Sequence, residues 1–286
     1  MPVTFGELST LTTPLSVARF CALLFSCLTF SLAASASFIS KLNKPYTDLY
    51  TFCMVIWCLF FILTFLVMLI HFIQFHNLLP LSWKNLTATV AALATLMTFS
   101  TSITFSWILY SASNLDVPES KSIAAAVGSF LTVLAYIAEV YLIRRQTDAQ
   151  LRGYMATLPG LLKVLQVCGG CVALVMLSVQ NEVPWRVCVS AVTYGVCLLP
   201  SSGTVLVMLM DCAARSPVPF DRLLAVFTLL GVIMYIVGTV VSFTQALKPQ
   251  NKEMYVVISE TVMACITLLA YTVDLAFSIK LLCDRK

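Results

Sequence analysis

The feature that most constrains this chain is a series of apolar segments long enough to cross a lipid bilayer. Residues 49–70 contain no charged side chain, and a helix of about 20 apolar residues spans the hydrocarbon core. Only 10% of the 286 residues are charged and 60% are hydrophobic, whereas soluble domains carry about 25% charged residues. The sequence therefore predicts an all-α polytopic membrane protein.

Eight such segments are separated by short stretches rich in prolines, asparagines and charged residues, which favour turns. The predicted transmembrane helices lie at about residues 15–38, 49–73, 86–110, 122–143, 158–179, 187–210, 223–247 and 255–282. Because every connection is short, we expect the protein to act within the membrane or directly beside it.

The second half of the chain repeats the first half. Residues 134–139 (LAYIAE), near the end of the fourth segment, recur as residues 269–274 (LAYTVD), near the end of the eighth. Arg19 in the first segment corresponds to Lys163 in the fifth. Since each half contains an even number of helices, both halves cross the membrane in the same direction. They are parallel repeats, unlike the halves of inverted-repeat transporters.

The repeat predicts two four-helix modules and three short segments outside them. The two modules are assigned to residues 15–146 and 158–282. The cytosolic segments are the N-terminus (1–14), the linker (147–157) and the C-terminus (283–286).

The positions of lysine and arginine predict the orientation. Eleven of the 17 basic residues fall on the side of the two termini, and cytosolic loops carry the excess of such residues. Both termini are therefore expected in the cytosol. Asn85, in the glycosylation sequon Asn85-Leu-Thr87, would face the cytosol and stay unmodified. Arg144, Arg145 and Arg152 form a basic cytosolic loop. Each of these residues contributes up to about 1 kcal/mol to the binding of anionic headgroups.

Two acids near the ends of the fourth and eighth segments are the sharpest functional signal. Tyr136 and Glu139 are three residues apart, as are Tyr271 and Asp274, so each tyrosine shares a helix face with its acid. Both acids lie about one turn inside the cytosolic boundary. Charges inside a span are costly and usually pair with one another or face a cavity.

Arg19 and Lys163 enter the membrane at about the same depth as these acids. We therefore predict two equivalent ion pairs, Arg19–Glu139 and Lys163–Asp274, each joining the first and last helices of a four-helix module. One alternative interpretation makes Glu139 and Asp274 carriers of protons or ions, and another has these side chains reach the membrane interface by snorkelling. Glu260 is a third acid, about one turn into the eighth segment, where the helix dipole would favour a carboxylate.

The third segment carries hydroxyl side chains on one face. Such residues often bond across helices, and a polar pore lining is the alternative interpretation. The four residues are Thr95, Thr98, Ser102 and Ser106.

No enzyme motif is present in the sequence. It has no Gly-Xaa-Ser-Xaa-Gly elbow and no glycine-rich phosphate loop. His71 and His76 are five residues apart, which fits no zinc-binding helix. We therefore expect no catalytic residue, metal or cofactor. No run of basic residues interleaved with aromatics indicates nucleic-acid binding.

Cys212 and Cys283 differ from the cysteines inside the apolar segments. Each lies at a cytosolic helix end beside an arginine, a setting in which S-palmitoylation occurs. We predict acylation at both positions, with a free interfacial thiol as the alternative.

Four stretches of the sequence resemble the myeloid-associated differentiation marker family. They are residues 153–163 (GYMATLPGLLK), 79–85 (LPLSWKN), 219–222 (PFDR) and 268–275 (LLAYTVDL). The resemblance covers nearly the whole chain, and the chain is identified as a paralogue or "-like" member. It implies two tandem MARVEL modules of four helices each.

The resemblance also implies a non-enzymatic organiser of cholesterol- and sphingolipid-rich membrane. Proteins of this kind are linked to membrane apposition, vesicle trafficking and cell spreading at the plasma membrane or on trafficking vesicles. The partners implied are membrane lipids, including anionic headgroups, with small GTPases, cytoskeletal proteins or a second copy of the chain. The alternative function is a small transporter or channel that uses Glu139, Asp274 and Glu260.

Overall fold

The computed structural model describes residues 12–36, 44–73, 81–113, 120–145, 154–180, 185–210, 220–247 and 254–284. These residues form eight helices and one short 3-10 turn at Tyr154–Ala156. The helices are α1 (Pro14–Ala34), α2 (Lys44–Phe72), α3 (Trp83–Ser113), α4 (Ser120–Arg145), α5 (Leu158–Ser178), α6 (Trp185–Leu209), α7 (Phe220–Ala246) and α8 (Met254–Asp284). All eight are long and apolar enough to cross a membrane, which confirms the predicted all-α, eight-span protein.

Several helices extend beyond the apolar segments from which they were predicted, whereas α1 ends at Ala34, before the predicted end near residue 38. α2 begins at Lys44 rather than near residue 49, and Pro45 is its second residue. Proline is well tolerated in the first turn, where backbone N–H groups have no helical partner. Hydropathy marks only the part of a helix that lies in hydrocarbon, so it misses turns in the headgroup region.

The start of α1 shows how the sequence fixes a helix end. Thr13 has an extended backbone, and its side chain accepts a hydrogen bond from the Ser16 N–H at 3.3 Å. Pro14 follows as the first helical residue. Thr157 takes the same place before α5. The order of a threonine and an early proline is therefore repeated at the start of each half, although the Thr157 side chain makes no capping hydrogen bond.

The chain divides into two compact units, residues 1–156 and 157–286. In each unit every helix packs against the next one along the chain, and the first helix packs against the last. Each unit is therefore a closed bundle of four antiparallel neighbours with short connections. The first bundle is formed by α1–α4 and the second by α5–α8, which confirms the predicted two-bundle architecture.

Glycine allows the first and last helices of each bundle to approach closely. A Cβ atom added to Gly128 of α4 would lie 2.8 Å from Thr29 Oγ1 of α1. In the second bundle the glycine is on the other helix, because a Cβ atom on Gly169 of α5 would overlap Thr267 of α8. Small residues at such crossings let backbones pack tightly in membranes.

The outer and inner surfaces of the bundles differ in chemistry. Large apolar side chains such as Leu24, Leu134 and Leu199 point outward, and Leu199 is 73% exposed. Inside the bundles lie many of the polar residues, including Thr98, Ser129 and Thr267. Each bundle therefore presents a hydrocarbon surface to its surroundings and keeps hydrogen-bonding groups within.

The hydroxyl groups of α3 bond to their own helix. Thr95 donates to the Ala91 carbonyl at 2.8 Å, and Ser102 donates to the Thr98 carbonyl at 2.7 Å. Thr98 donates to the Ala94 carbonyl in the same way. The expectation that these three side chains bond across helices was wrong, because the carbonyl one turn earlier is always within reach. None of these three hydroxyl protons is left to line a pore.

Candidate functional site

The first bundle contains the first predicted ion pair. Arg19 on α1 and Glu139 on α4 are both buried. Arg19 Nε donates to Glu139 Oε1 across a distance of 2.6 Å. The contact joins the first and last helices, whose packing closes the bundle.

The second bundle contains the equivalent pair. Lys163 Nζ on α5 lies 2.5 Å from Asp274 Oδ2 on α8, and both side chains are buried. Burying two charges is costly unless each also finds good hydrogen bonds. The location of each pair between the first and last helices makes it a clamp on its bundle.

The second pair has more polar neighbours than the first. Gln166 Nε2 donates to Asp274 Oδ2 at 2.9 Å, and Thr228 Oγ1 donates to the same oxygen at 3.3 Å. Lys163 Nζ also donates to Thr228 Oγ1 at 3.0 Å. These contacts bring α7 into the cluster, in which Lys163 and Gln166 are the closest donors to the carboxylate.

The tyrosine of each repeated motif reaches the helix diagonally opposite. In the first bundle, the Tyr136 hydroxyl on α4 lies 2.9 Å from Thr64 Oγ1 on α2. It also donates to the Phe60 carbonyl at 3.3 Å. Thr64 and Phe60 are one helical turn apart, so a single hydroxyl bridges to two points on α2.

The same bridge occurs in the second bundle. The Tyr271 hydroxyl on α8 lies 2.6 Å from Ser201 Oγ on α6 and donates to the Cys197 carbonyl at 3.2 Å. The repeated motifs indicated the two tyrosines but not their partners Thr64 and Ser201. A hydroxyl residue at matching points of the second and sixth segments was the signal that would have found them.

Replacing Tyr136 or Tyr271 with phenylalanine is expected to lower the free energy of unfolding by about 0.5–1.5 kcal/mol. The partner hydroxyl on the opposite helix would lose its cross-bundle bond. The measurement is the thermal unfolding midpoint of the purified protein in detergent. Tyr141→Phe is the matched control because Tyr141 is exposed on the surface of α4. An equal loss in the control would mean that the bridges contribute nothing.

Glu260 has a more elaborate setting than the sequence indicated. Its side chain is 0% exposed. Ser242 Oγ donates to its Oε1 at 2.6 Å, and the Tyr194 hydroxyl donates to the same oxygen at 3.1 Å. Gln180 Nε2 donates to Oε2 at 2.8 Å. Side chains from α6, α7 and α8, together with Gln180 just past the end of α5, meet at this carboxylate.

The explanation of Glu260 by the helix dipole was wrong. α8 begins at Met254, so Glu260 lies beyond the first turn, and the dipole effect is confined to that turn. Side chains from neighbouring helices hold the carboxylate instead. These partners were missed because no short-range pattern links residues that are 18, 66 and 80 positions away from Glu260.

Asn85 anchors the 3-10 turn that precedes the second bundle. Its side chain is buried at the start of α3, and Asn85 Oδ1 accepts a hydrogen bond from the Met155 N–H at 3.2 Å. Met155 and Ala156 are also buried. The asparagine of the glycosylation sequon is therefore part of the packing of the first bundle.

Asn85 is expected to carry no glycan, since an oligosaccharide would break this contact. Asn85→Ala should free the 3-10 turn and speed tryptic cleavage at Arg152. Thr87→Ala is the matched control because it also removes the sequon, while its hydroxyl bonds only to carbonyls of its own helix. We expect faster cleavage in Asn85→Ala alone and no change in gel mobility in either variant. A lower apparent mass in both variants would instead reveal a glycan.

The remaining predicted residues lie at helix ends. Arg144 and Arg145 are exposed at the end of α4, and Cys283 is exposed near the end of α8. Arg152 and Cys212 lie outside the described residues. Within the described ranges, no three His, Cys, Asp or Glu side chains are grouped so that they could hold a metal ion.

Several proteins are similar to this chain over nearly its full length. A myeloid-associated differentiation marker homolog of Xenopus laevis is 30% identical, over 97% of this chain and 95% of that protein. Myeloid-associated differentiation marker-like protein 2 of Homo sapiens is 33% identical, over 95% of this chain and 93% of that protein. The myeloid-associated differentiation marker of Rattus norvegicus is 30% identical, over 97% and 93%. No protein-family model matches the sequence, and no solved structure matches the fold.

Proposed function

This chain belongs to the myeloid-associated differentiation marker family, and from that premise we propose that it organises ordered membrane rich in cholesterol and sphingolipid. In this proposal the protein is not an enzyme, in keeping with relatives that are named as differentiation markers. Each four-helix unit acts as a MARVEL module, and its outer surface selects the surrounding lipid.

The observation that carries this proposal is that polar side chains bond to one another inside each bundle, while apolar side chains cover its outside. The charged groups of the ion pairs and the two bridging tyrosines are bonded to other side chains of the same bundle. The outward surface is left to large apolar side chains. Lipid contact is therefore the interaction that most of the protein surface is built to make.

Basic residues support an orientation with both termini in the cytosol. Arg144 and Arg145 are exposed at the end of α4, where they would meet the anionic headgroups of the cytosolic leaflet. Each such residue contributes about 1 kcal/mol near the surface. The same face would recruit small GTPases or cytoskeletal proteins, at the plasma membrane or on trafficking vesicles. A second copy of the chain would use the apolar outer surface.

Acylation would strengthen the preference for ordered lipid. Cys283 is exposed near the end of α8, two residues before Arg285 in the sequence. Cys212, the second predicted site, falls in the connection between α6 and α7. Each buried methylene group of an acyl chain adds about 0.8 kcal/mol to membrane affinity. Two saturated chains would pack with extended lipid tails, and for that reason we expect them to bias the protein toward thicker, ordered regions.

The experiment that tests the proposal measures partitioning in giant vesicles that are derived from cell membranes and contain ordered and disordered phases. The tagged full-length chain is compared with a Cys212→Ser/Cys283→Ser double variant. Cys188→Ser is the matched control, because Cys188 is an exposed cysteine near the opposite end of the helices. We expect enrichment of the unaltered chain and of the control in the ordered phase, with reduced enrichment of the double variant.

Exclusion of the unaltered chain from the ordered phase would contradict the lipid-organising function. Equal enrichment of all three forms would support lipid selection by the helices alone and would remove acylation from the proposal. Epitope tags on the two termini test the orientation in the same cells. Both tags should bind antibody only after the plasma membrane is permeabilised.

The alternative function of a transporter or channel has less support. Glu139 and Asp274 face basic partners at 2.6 and 2.5 Å, so neither is poised to carry an ion without first breaking a buried pair. Flux measurements in reconstituted vesicles, with Glu139→Gln and Asp274→Asn, test this alternative directly. Specific flux that disappears in either variant would favour it.

A further inference from the structure

Glu260 is an exception among the three acids buried in the bundles. Glu139 faces Arg19 and Asp274 faces Lys163. Across the part of the chain that the structure describes, no lysine, arginine or histidine makes an ion pair with Glu260. A carboxylate in a membrane span usually meets a positive charge or a water-filled cavity. The pattern within this protein therefore calls for one positive charge at Glu260.

The oxygen atoms around Glu260 are arranged on three helices. Ser242 Oγ on α7 and the Tyr194 hydroxyl on α6 lie 2.6 and 3.1 Å from Glu260 Oε1 on α8. The two hydroxyl oxygens are 3.0 Å apart. The three oxygens thus form a compact triangle. Since hydroxyl protons can rotate, the same oxygens can present lone pairs to a cation.

A further oxygen lies on the same inward face of α7. Gln245 is one turn beyond Ser242 and is only 6% exposed. Its Oε1 atom has no hydrogen-bond partner among the described residues. A buried carbonyl oxygen without a donor is unfavourable. Its position one turn from Ser242 makes this oxygen the candidate fourth ligand for an ion held at the triangle.

We propose that Glu260, Ser242, Tyr194 and Gln245 form a binding site for one monovalent alkali cation. Carboxylate, hydroxyl and amide oxygens are the ligands that hard cations take. Only a single positive charge balances the one carboxylate, whereas a divalent ion would leave a net charge inside the membrane. Bound there, the ion ties α6, α7 and α8 together.

Gln180 provides the route to this site. It lies two residues past the end of α5, at the bundle end where α5 connects to α6, and it is half-buried. Its amide nitrogen contacts Glu260 Oε2 at 2.8 Å. An amide presents either its nitrogen or its oxygen when it turns over. In the orientation proposed above, this end faces the extracellular side, where sodium is abundant.

The first bundle lacks this site. Glu260 aligns with Ala125 when the repeated motifs of α4 and α8 are superposed in sequence. Tyr194 aligns with Trp57 by the offset that relates Ser201 to Thr64. Neither alanine nor tryptophan has a side-chain oxygen. The first bundle therefore serves as an internal reference that shares the fold and the ion pair but not the cation site.

Thermal unfolding of the purified full-length chain in lipid nanodiscs tests the proposal. Midpoints are measured in sodium, potassium and choline chloride at constant ionic strength and pH. We expect sodium or potassium to raise the midpoint over choline in a saturable manner, because a ligand that binds only the folded state stabilises it. Radioactive sodium binding should saturate at about one ion per chain if sodium is the preferred ion.

Two variants connect the effect to the site. Glu260→Gln keeps the shape of the side chain and should lose the shift. Gln245→Leu leaves the triangle intact and should raise the half-saturating ion concentration by about tenfold, as is typical when a metal site loses a polar neighbour. Tyr136→Phe, in the first bundle, should keep the full shift at a lower baseline.

Three results would overturn the proposal. The first is an equal midpoint in choline, sodium and potassium for the unaltered chain. The second is an alkali-ion shift that persists in Glu260→Gln. The third is a midpoint that varies with pH through Glu260 but not with either alkali ion, which would assign a proton to this carboxyl group.

Discussion

Replacing Glu139 with alanine is expected to remove most of the folded protein. The substitution leaves Arg19 buried on α1 with no acidic partner at the position that Glu139 Oε1 now occupies, 2.6 Å from Arg19 Nε. Removing one partner of a buried ion pair costs about 3–5 kcal/mol, which is a large share of the 5–15 kcal/mol that stabilises a typical protein. The measurement is the yield of monodisperse fluorescent fusion protein after detergent extraction, together with its thermal midpoint.

A charge exchange separates the pair from the general damage of mutating a buried residue. The single variants Arg19→Glu and Glu139→Arg should each fail, since each places two like charges together. The double variant restores opposite charges and should recover a substantial part of the yield. Arg145→Ala, at an exposed position on α4, should resemble the unaltered chain. A double variant no better than either single variant would show that the contact does not hold the bundle together.

Gly231→Val is expected to lower the free energy of unfolding by several kcal/mol, somewhat less than Glu139→Ala. Gly231 lies on α7, and a Cβ atom there would overlap the ring of Tyr271 on α8. The ring would have to move, and its bonds to Ser201 and to the Cys197 carbonyl would break with it. Overpacking of this kind costs about 1–3 kcal/mol, in addition to about 1 kcal/mol for the lost hydrogen bonds.

Gly203→Val provides the control for this prediction. Gly203 lies within α6, and a Cβ atom there has no neighbour within 4 Å. The change in helix propensity is the same in both variants, so any difference between them reports the collision with Tyr271. Unfolding in mixed micelles with increasing dodecyl sulfate measures both. The free energy of unfolding of Gly203→Val should lie within about 0.5 kcal/mol of that of the unaltered chain. Equal losses of stability in the two variants would contradict the contact between Gly231 and Tyr271.

Much of the architecture follows from the sequence because a bilayer imposes a simple rule on it. A stretch such as residues 49–70 has no other stable arrangement than a spanning helix. The contact of Arg19 with Glu139, and of Lys163 with Asp274, was also predictable. Each repeated module has one basic and one acidic side chain at the same depth, and the two avoid being buried as unpaired charges by contacting each other.

The polar contacts between other helices were harder to predict. The bridge from Tyr136 to Thr64 depends on how α2 and α4 are rotated about their axes, and those rotations follow from packing throughout the bundle. Glu260 illustrates the same difficulty, since its partners come from three different elements. For the hydroxyls of α3 the sequence predicted contacts between helices that the structure does not show. Thr98 and its neighbours donate to carbonyls of their own helix instead.

The long sequence separation within each ion pair has a consequence for biogenesis. Glu139 is made 120 residues after Arg19, which at 5–20 residues per second is a delay on the order of ten seconds. During that interval α1 leaves the ribosome with a cation that its future partner cannot yet neutralise. Arg19 is without its acidic partner until α4 is made, and Lys163 on α5 waits in the same way for Asp274 on α8. The last helix of each half therefore completes its bundle, and we expect a chain truncated before that helix to be degraded faster than the full-length chain.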